Sequence, residues 1–196
     1  MKKSERTRQR ILDAAAIEFR DRGFAATRLS DIAGRAELQT PSLYYHFASK
    51  EELIEEVMSI SVDQTFAHVQ ASVAEVPRDE PLQRLRVAIE AHVVMSQQTG
   101  DYSAANLRLY GQMPADIRDR LLRNQRKVGS YWAGLFKDAQ AAGAIRPDVD
   151  LSAVRMLTLG ALNWATEWYK PSRRLNVEEL ARTASSMVLD GLKAPG

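Results

Sequence analysis

The chain has 196 residues, 45% hydrophobic and 27% charged, with no cysteine; this profile belongs to a folded protein rather than a disordered one. The missing thiols exclude disulfides, thiolate zinc sites and cysteine nucleophiles together. Net charge is only +2, yet residues 1–50 hold ten Lys/Arg against six Asp/Glu, or +4, and leave −2 for the remainder, a basic head suited to nucleic acid at one end.

The length predicts one large or two small domains. The N-terminus MKKSERTRQR is basic, but no apolar stretch follows it, so it does not read as a secretory signal. Ser4 to Arg22 carries Ile11, Leu12, Ala15, Ala16 and Phe19 on one helical face, and Gly23 is placed to end it in a left-handed cap. Thr27 is positioned to cap a second helix facing inward with Leu29, Ile32, Ala33 and Ala36. A turn follows in which Glu37 stands where glycine would relieve a left-handed backbone. Gln39 or Thr40 then opens a short helix, with Pro41 in its first turn and Leu43 and Phe47 as anchors four residues apart.

Ser49 is placed to cap a long helix from Lys50, whose first turn holds Glu51 and Glu52 where the helix dipole favours them. The prolines of Val76 to Pro81 break that helix, and Leu82 to Val93 marks the next, ending near Gly100. A shorter helix spans Tyr102 to Tyr110, stopped by Gly111 and Pro114. Ala115 to Ala142 is long and amphipathic, with Gly143 at its end. Asp150 or Ser152 starts a helix to Tyr169, and the last runs from about Asn176 to Leu192. No strand alternation is evident. The fold class is therefore all-α, with about nine helices. Its longest nearly apolar run, Met156 to Ala165, is about half of what a membrane span needs, so a soluble, cytoplasmic protein with no membrane partner is expected.

Residues 27–50 carry the clearest chemistry. Two short helices joined by a tight turn, the second bearing hydroxyls, tyrosines, an imidazole and an ammonium, fit a rod offered to the DNA major groove. Thr40, Pro41 and Ser42 lead that helix and are the candidates for base edges, proline through a thymine methyl only. Gln39 stands beside them at the cap. Tyr44, Tyr45 and His46 are placed for phosphates, as is Lys50 at the next helix start. Arg28 and Ser30 begin the preceding helix and face the backbone. Lys2, Lys3, Arg6, Arg8 and Arg10 add attraction that is independent of sequence.

Catalysis finds no such support. His46, His68 and His92 form no i, i+4 metal pair, no glycine-rich loop follows a strand, and no nucleophile elbow occurs. No catalytic residue, metal or cofactor is predicted. A helical protein-interaction module is the non-enzymatic alternative.

The series Arg10-Ile11-Leu12-Asp13-Ala14-Ala15, Phe19, Gly23-Phe24, Thr27, Ile32-Ala33, Leu43-Tyr44-Tyr45-His46-Phe47 and Ser49-Lys50-Glu51-Glu52-Leu53 resembles the DNA-binding domain of the tetracycline-repressor family of bacterial transcription regulators. The resemblance implies a three-helix DNA-binding domain over 1–50, the fourth helix linking it to a ligand-binding and dimerisation domain over 51–196. It implies a regulator, a repressor first and an activator as the alternative, that holds a palindromic double-stranded operator as a homodimer and releases it when a small effector binds. Val154, Met156, Leu157, Leu159, Leu162, Trp164 and Trp168 make one helix apolar on most sides, as burial against both its own domain and a second copy would require. The family also implies an effector pocket, for which Tyr102, Asn106, Tyr110, Met113, Arg126, Tyr131, Trp132, Asn163, Trp164 and Trp168 are the candidates. Asn163, an amide on that apolar helix, must find a partner in protein or ligand. The stretch GALNWATEWYKP resembles regulators of fatty-acid or steroid catabolism that answer to acyl-coenzyme A thioesters, whose phosphates Arg108, Arg123, Arg126 and Lys127 would serve.

Overall fold

The computed structural model describes residues 3–113, 115–172 and 174–193, with the side chain of Tyr110 outside the description, as are Lys2 and Pro114. Among the described residues there are nine α-helices: α1 Lys3–Ala26, α2 Leu29–Arg35, α3 Thr40–Tyr44, α4 Lys50–Ala74, α5 Pro81–Gln98, α6 Gly100–Leu109, α7 Ala115–Ala141, α8 Leu151–Trp168 and α9 Val177–Leu192, with a 3-10 turn at Tyr110–Gln112. The all-α expectation is met. No helix among these residues is long and apolar enough to cross a membrane.

The chain divides into two compact units, residues 1–62 with 99–123, and residues 63–98 with 124–196. In the first, Ile11, Ala15, Phe19, Ile32, Leu43, Phe47, Leu53 and Ile54 are wholly or almost wholly buried together, and Ala105, Leu109, Met113 and Ile117 join the same core. In the second, Val69, Val73, Leu85, Ile89, Trp132, Phe136, Ile145 and Leu189 form the centre. Burying side chains of this size stabilises by roughly 1.5–3 kcal/mol each.

Most helix ends follow their sequence signals. Asp150 caps α8 by accepting from the N–H groups of Ser152 and Ala153, and Asn176 forms a reciprocal capping box with Glu179 on α9. The Glu52 N–H donates to Ser49 Oγ at 3.0 Å at the start of α4. Gly143, at φ 73°, closes α7 with N–H groups folding back to Gln140 and Ala139.

Three ends differ from expectation. Gly23 has φ 76° and ψ 172°, a conformation open to glycine that kinks α1 and lets helical residues continue to Ala26. Thr27 does not cap α2: Arg28 holds that position without a side-chain bond, while Thr27 Oγ1 donates backwards to the carbonyls of Gly23 and Glu18. Gly100 begins α6 rather than only ending α5, because the Tyr102 and Ser103 N–H groups reach back to the Thr99 carbonyl.

The turn between α2 and α3 is the strained place. Glu37 has φ 53°, alone among the described non-glycine residues in being positive, and the Leu38 and Glu37 N–H groups return to Ala33 and Gly34 in a Schellman closure. Arg10 supports it by donating to the Ala36 carbonyl and the Glu37 carboxylate. Glu37 is 86% exposed in that ion pair, so the pair contributes little, whereas left-handed backbone costs a non-glycine residue about 1–2 kcal/mol. Glu37→Gly should therefore raise thermal stability by about 0.5–1 kcal/mol after the greater freedom of the unfolded chain is counted. A fall in melting temperature would show instead that the Arg10 contact dominates.

Candidate nucleic-acid interface

Helix α3 is only five residues long, and its position is set by its anchors. Leu43 is fully buried and Phe47 is 1% exposed, and the His46 and Phe47 N–H groups close on the Leu43 carbonyl. With that side held in the core, the remaining residues turn outward. Gln39, Pro41, Ser42, Tyr44 and Tyr45 are exposed, and Thr40 and His46 are half-buried. Tyr44 and Tyr45 are 56% and 84% exposed, unusual for large aromatic groups in a well-packed unit. The rings of Tyr45 and His46 meet edge-on at 5.2 Å. Arg28 and Ser30, at the start of α2, are exposed as well.

The structure thus leaves seven of the ten predicted contact residues exposed, and Thr40 and His46 partly so. Lys50 is the exception. Its Nζ donates to the carbonyls of Phe24 at 2.7 Å and Thr27 at 2.8 Å, and stands 4.4 Å from the centre of the Phe24 ring. The ammonium therefore holds the α1–α2 connection against the start of α4, with two of its three N–H donors engaged within the protein. Part of the basic N-terminal stretch is likewise engaged within the protein. Arg8 pairs with Glu56 and lies 4.7 Å over the Phe47 ring, and Arg10 is engaged at the α2–α3 turn, whereas Lys3 and Arg6 are exposed. Lys2 lies outside the described residues.

Sequence reasoning missed the ion pair that fixes α2. The Glu18 carboxylate, 4% exposed, meets Arg35 Nε at 2.7 Å and Arg22 Nε at 3.0 Å, and Arg22 also reaches Asp31. A buried carboxylate needs such partners. The signal was its place on the apolar side of α1 between Ala15 and Phe19.

The effector candidates are divided between the two units. Tyr102, Asn106, Tyr110 and Met113 belong to the first unit. There the Tyr102 hydroxyl donates to Asp13 of α1 at 2.6 Å, and burial first, then Asp13, pushes its pKa up. Asn106 donates to the Met58 carbonyl at 2.8 Å, and Met113 is core. The Tyr110 side chain is outside the described residues. Arg126, Tyr131, Trp132, Asn163, Trp164 and Trp168 belong to the second unit. Trp132 is 1% exposed and packs edge-on to His92 at 5.8 Å. Nε2 of His92 donates to Asn163 Oδ1 at 2.9 Å, so the amide that required a partner has one within the protein. Burial holds the imidazole pKa below its ordinary range. Trp164 and Trp168 are instead 58% and 54% exposed, on a strip of α8 that also shows Met156 and Leu157, while Met187 of α9 is 65% exposed. Arg126 is exposed and Tyr131 half-buried.

Residues 11–57 match the family model described as bacterial regulatory proteins, tetR family, and residues 78–192 match the model described as tetracyclin repressor-like, C-terminal domain. The chain is 32% identical to the HTH-type transcriptional repressor KstR2 of Rhodococcus jostii (strain RHA1), covering 96% of this chain and 92% of that one. Among solved structures it is similar to the ketosteroid transcriptional regulator KstR2 of Mycobacterium tuberculosis, at 25% identity, a TM-score of 0.85, and 96% and 95% coverage of the two chains. It is also similar to AibR in complex with isovaleryl coenzyme A and operator DNA, at 25% identity, a TM-score of 0.81, and 92% and 97% coverage.

Proposed function

The chain belongs to the tetracycline-repressor family of bacterial transcription regulators, and we propose that it holds a two-fold symmetric operator as a homodimer and releases it when an acyl-coenzyme A thioester binds. It is a DNA-binding regulator and a repressor, as its KstR2 relatives are named. The observation that carries the docking proposal is the α3 surface. Two buried anchors leave Ser42 and Tyr44 projecting beside the exposed residues Gln39, Pro41 and Tyr45. Residues 1–50 would be the DNA-reading module and 51–196 the effector and dimer body, working in the cytoplasm.

One copy presents one recognition helix, so two copies read two half-sites about one helical turn apart. Ser42 and Thr40, with Gln39 and the Pro41 ring, would meet base edges. Tyr44, Tyr45, His46, Arg28 and Ser30 would meet the sugar-phosphate backbone. The effector class is supported by the acyl-coenzyme A complex of the AibR neighbour. Within the second unit Tyr131, Trp132 and Arg126 remain candidates to touch it, while Asn163 would do so by exchanging its His92 bond. Release needs a differential affinity of only about 1–3 kcal/mol, which changes occupancy roughly 5- to 150-fold.

The test begins with fragments selected from the source genome and titrated with protein at several salt concentrations. Tyr44→Phe should weaken binding on all fragments alike, and Ser42→Ala should lose preference at one base pair per half-site, about 1–3 kcal/mol each. If both variants keep wild-type affinity and preference, α3 is not the reading element.

A further inference from the structure

In the second unit, α5 and α7 carry three hydrogen-bond donors, Arg84, Lys127 and Tyr131, and α4 carries Phe66. Lys127 and Tyr131 lie one turn apart on α7, so their side chains share one strip of that helix. Phe66 of α4 packs on both: its ring meets Tyr131 edge-on at 5.4 Å, and Lys127 Nζ stands 5.7 Å from its centroid. Arg84 of α5 adds a guanidinium whose Nε is withdrawn from solvent and has no hydrogen-bond partner. Its charge reaches the Tyr131 hydroxyl and opposes the burial that pushes that phenol up.

Among the described residues Arg84 and Lys127 form no ion pair, Glu80 one turn before Arg84 included. Asp63, one turn before Phe66, accepts the Asn124 amide instead. A guanidinium N–H taken out of water without an acceptor is costly, and proteins rarely leave one so. Tyr131 and Lys127 share the Phe66 ring, the Arg84 guanidinium is near enough for its charge to act on the phenol, and the component that would satisfy these donors is an anionic oxygen.

We propose that Arg84, Tyr131 and Lys127 form an anion subsite that takes the phosphate or carboxylate head of an amphiphilic effector, with Phe66 beneath it. This rests on reading residues 51–196 as the effector body. A coenzyme A thioester would offer phosphate there, and the corresponding free acid a carboxylate.

The experiment follows the arginine Nε–H signals of the full-length protein by nitrogen-resolved NMR, with Arg84→Gln identifying the Arg84 signal. Coenzyme A and sodium butyrate are the two probes. Coenzyme A should move the Arg84 signal and saturate at or below about 1 mM. Calorimetry should show at least about tenfold weaker binding for Arg84→Met, as loss of a charge-assisted bond requires, and Arg84→Gln should show the same loss if the methionine variant proves unstable. Saturation by butyrate at lower concentration would support the subsite and assign it to a carboxylate. An Arg84 signal unmoved by either probe at tens of millimolar would overturn the proposal, as would an equal loss for Lys137→Met, which removes an exposed charge from α7. Operator binding by unliganded Arg84→Met should match wild type. If the wild type binds no operator, the regulatory reading fails while the titration still decides the subsite.

Discussion

Leu157→Glu should leave the chain folded, hold it as a single copy in solution, and weaken operator binding by about 10²- to 10⁴-fold. Leu157 is 75% exposed, so its side chain contributes little to the packing of its own unit. The inward face of α8 is a different one, formed by Thr158, Leu162 and Ala165. Along the outward strip, Met156 and Leu157, the exposed small residues Gly160 and Ala161, then Trp164 and Trp168 succeed one another at helical spacing. Exposed apolar strips of this kind mark interaction surfaces. A carboxylate in the middle of that strip would have to be buried without a partner whenever two copies close on it. The operator penalty follows because two linked half-sites bind with an effective concentration that a lone copy loses, worth about 10²- to 10⁴-fold. Light scattering gives the copy number, circular dichroism the fold, and fluorescence anisotropy the affinity. A variant that stays dimeric would move the interface elsewhere.

The second large effect is expected at Lys50. Lys50→Met removes two hydrogen bonds from a charged donor and its contact with the Phe24 ring. The cost should be about 2 kcal/mol in the stability of the first unit, read as a lower melting temperature. The salt dependence of operator binding should keep its slope. A lysine that neutralised a phosphate would do the opposite, leaving stability alone and lowering the slope by about one per subunit. A falling slope with unchanged melting temperature would return Lys50 to the DNA face.

The two residues show where sequence reasoning reaches and where it stops. Punctuation by Gly143, Asp150, Asn176 and Pro81 is local, and it placed most helix ends within a residue or two. The left-handed conformation at Glu37 was also legible, because a missing glycine in a tight turn is a local fact. Partners distant in sequence were not. Nothing near Lys50 reveals that carbonyls 23 and 26 residues earlier claim its ammonium. Nothing near Thr27 shows that its hydroxyl turns back to Gly23 rather than forward.

The effector candidates illustrate the same boundary. Helical spacing marks Met113 and Trp132 as inward, but it cannot say which of two cores each enters, and they enter different ones. Periodicity likewise could not separate Trp164 and Trp168, which face out, from Leu162 and Ala165, which face in, because α8 is apolar on both sides. Arg84 carried no sequence signal at all. Its isolation from carboxylates appears only when α5 is set beside α7.

The central claim is that α3 enters the major groove once from each of two copies. Hydroxyl-radical footprinting of the wild-type protein on a selected genomic operator tests it most directly. Two protected patches on one face of the duplex, about 10 base pairs apart or a multiple of that, both lost in a Ser42→Ala/Tyr44→Ala double variant that still dimerises, are the predicted result. A single patch, or two patches that survive the double variant, would contradict it.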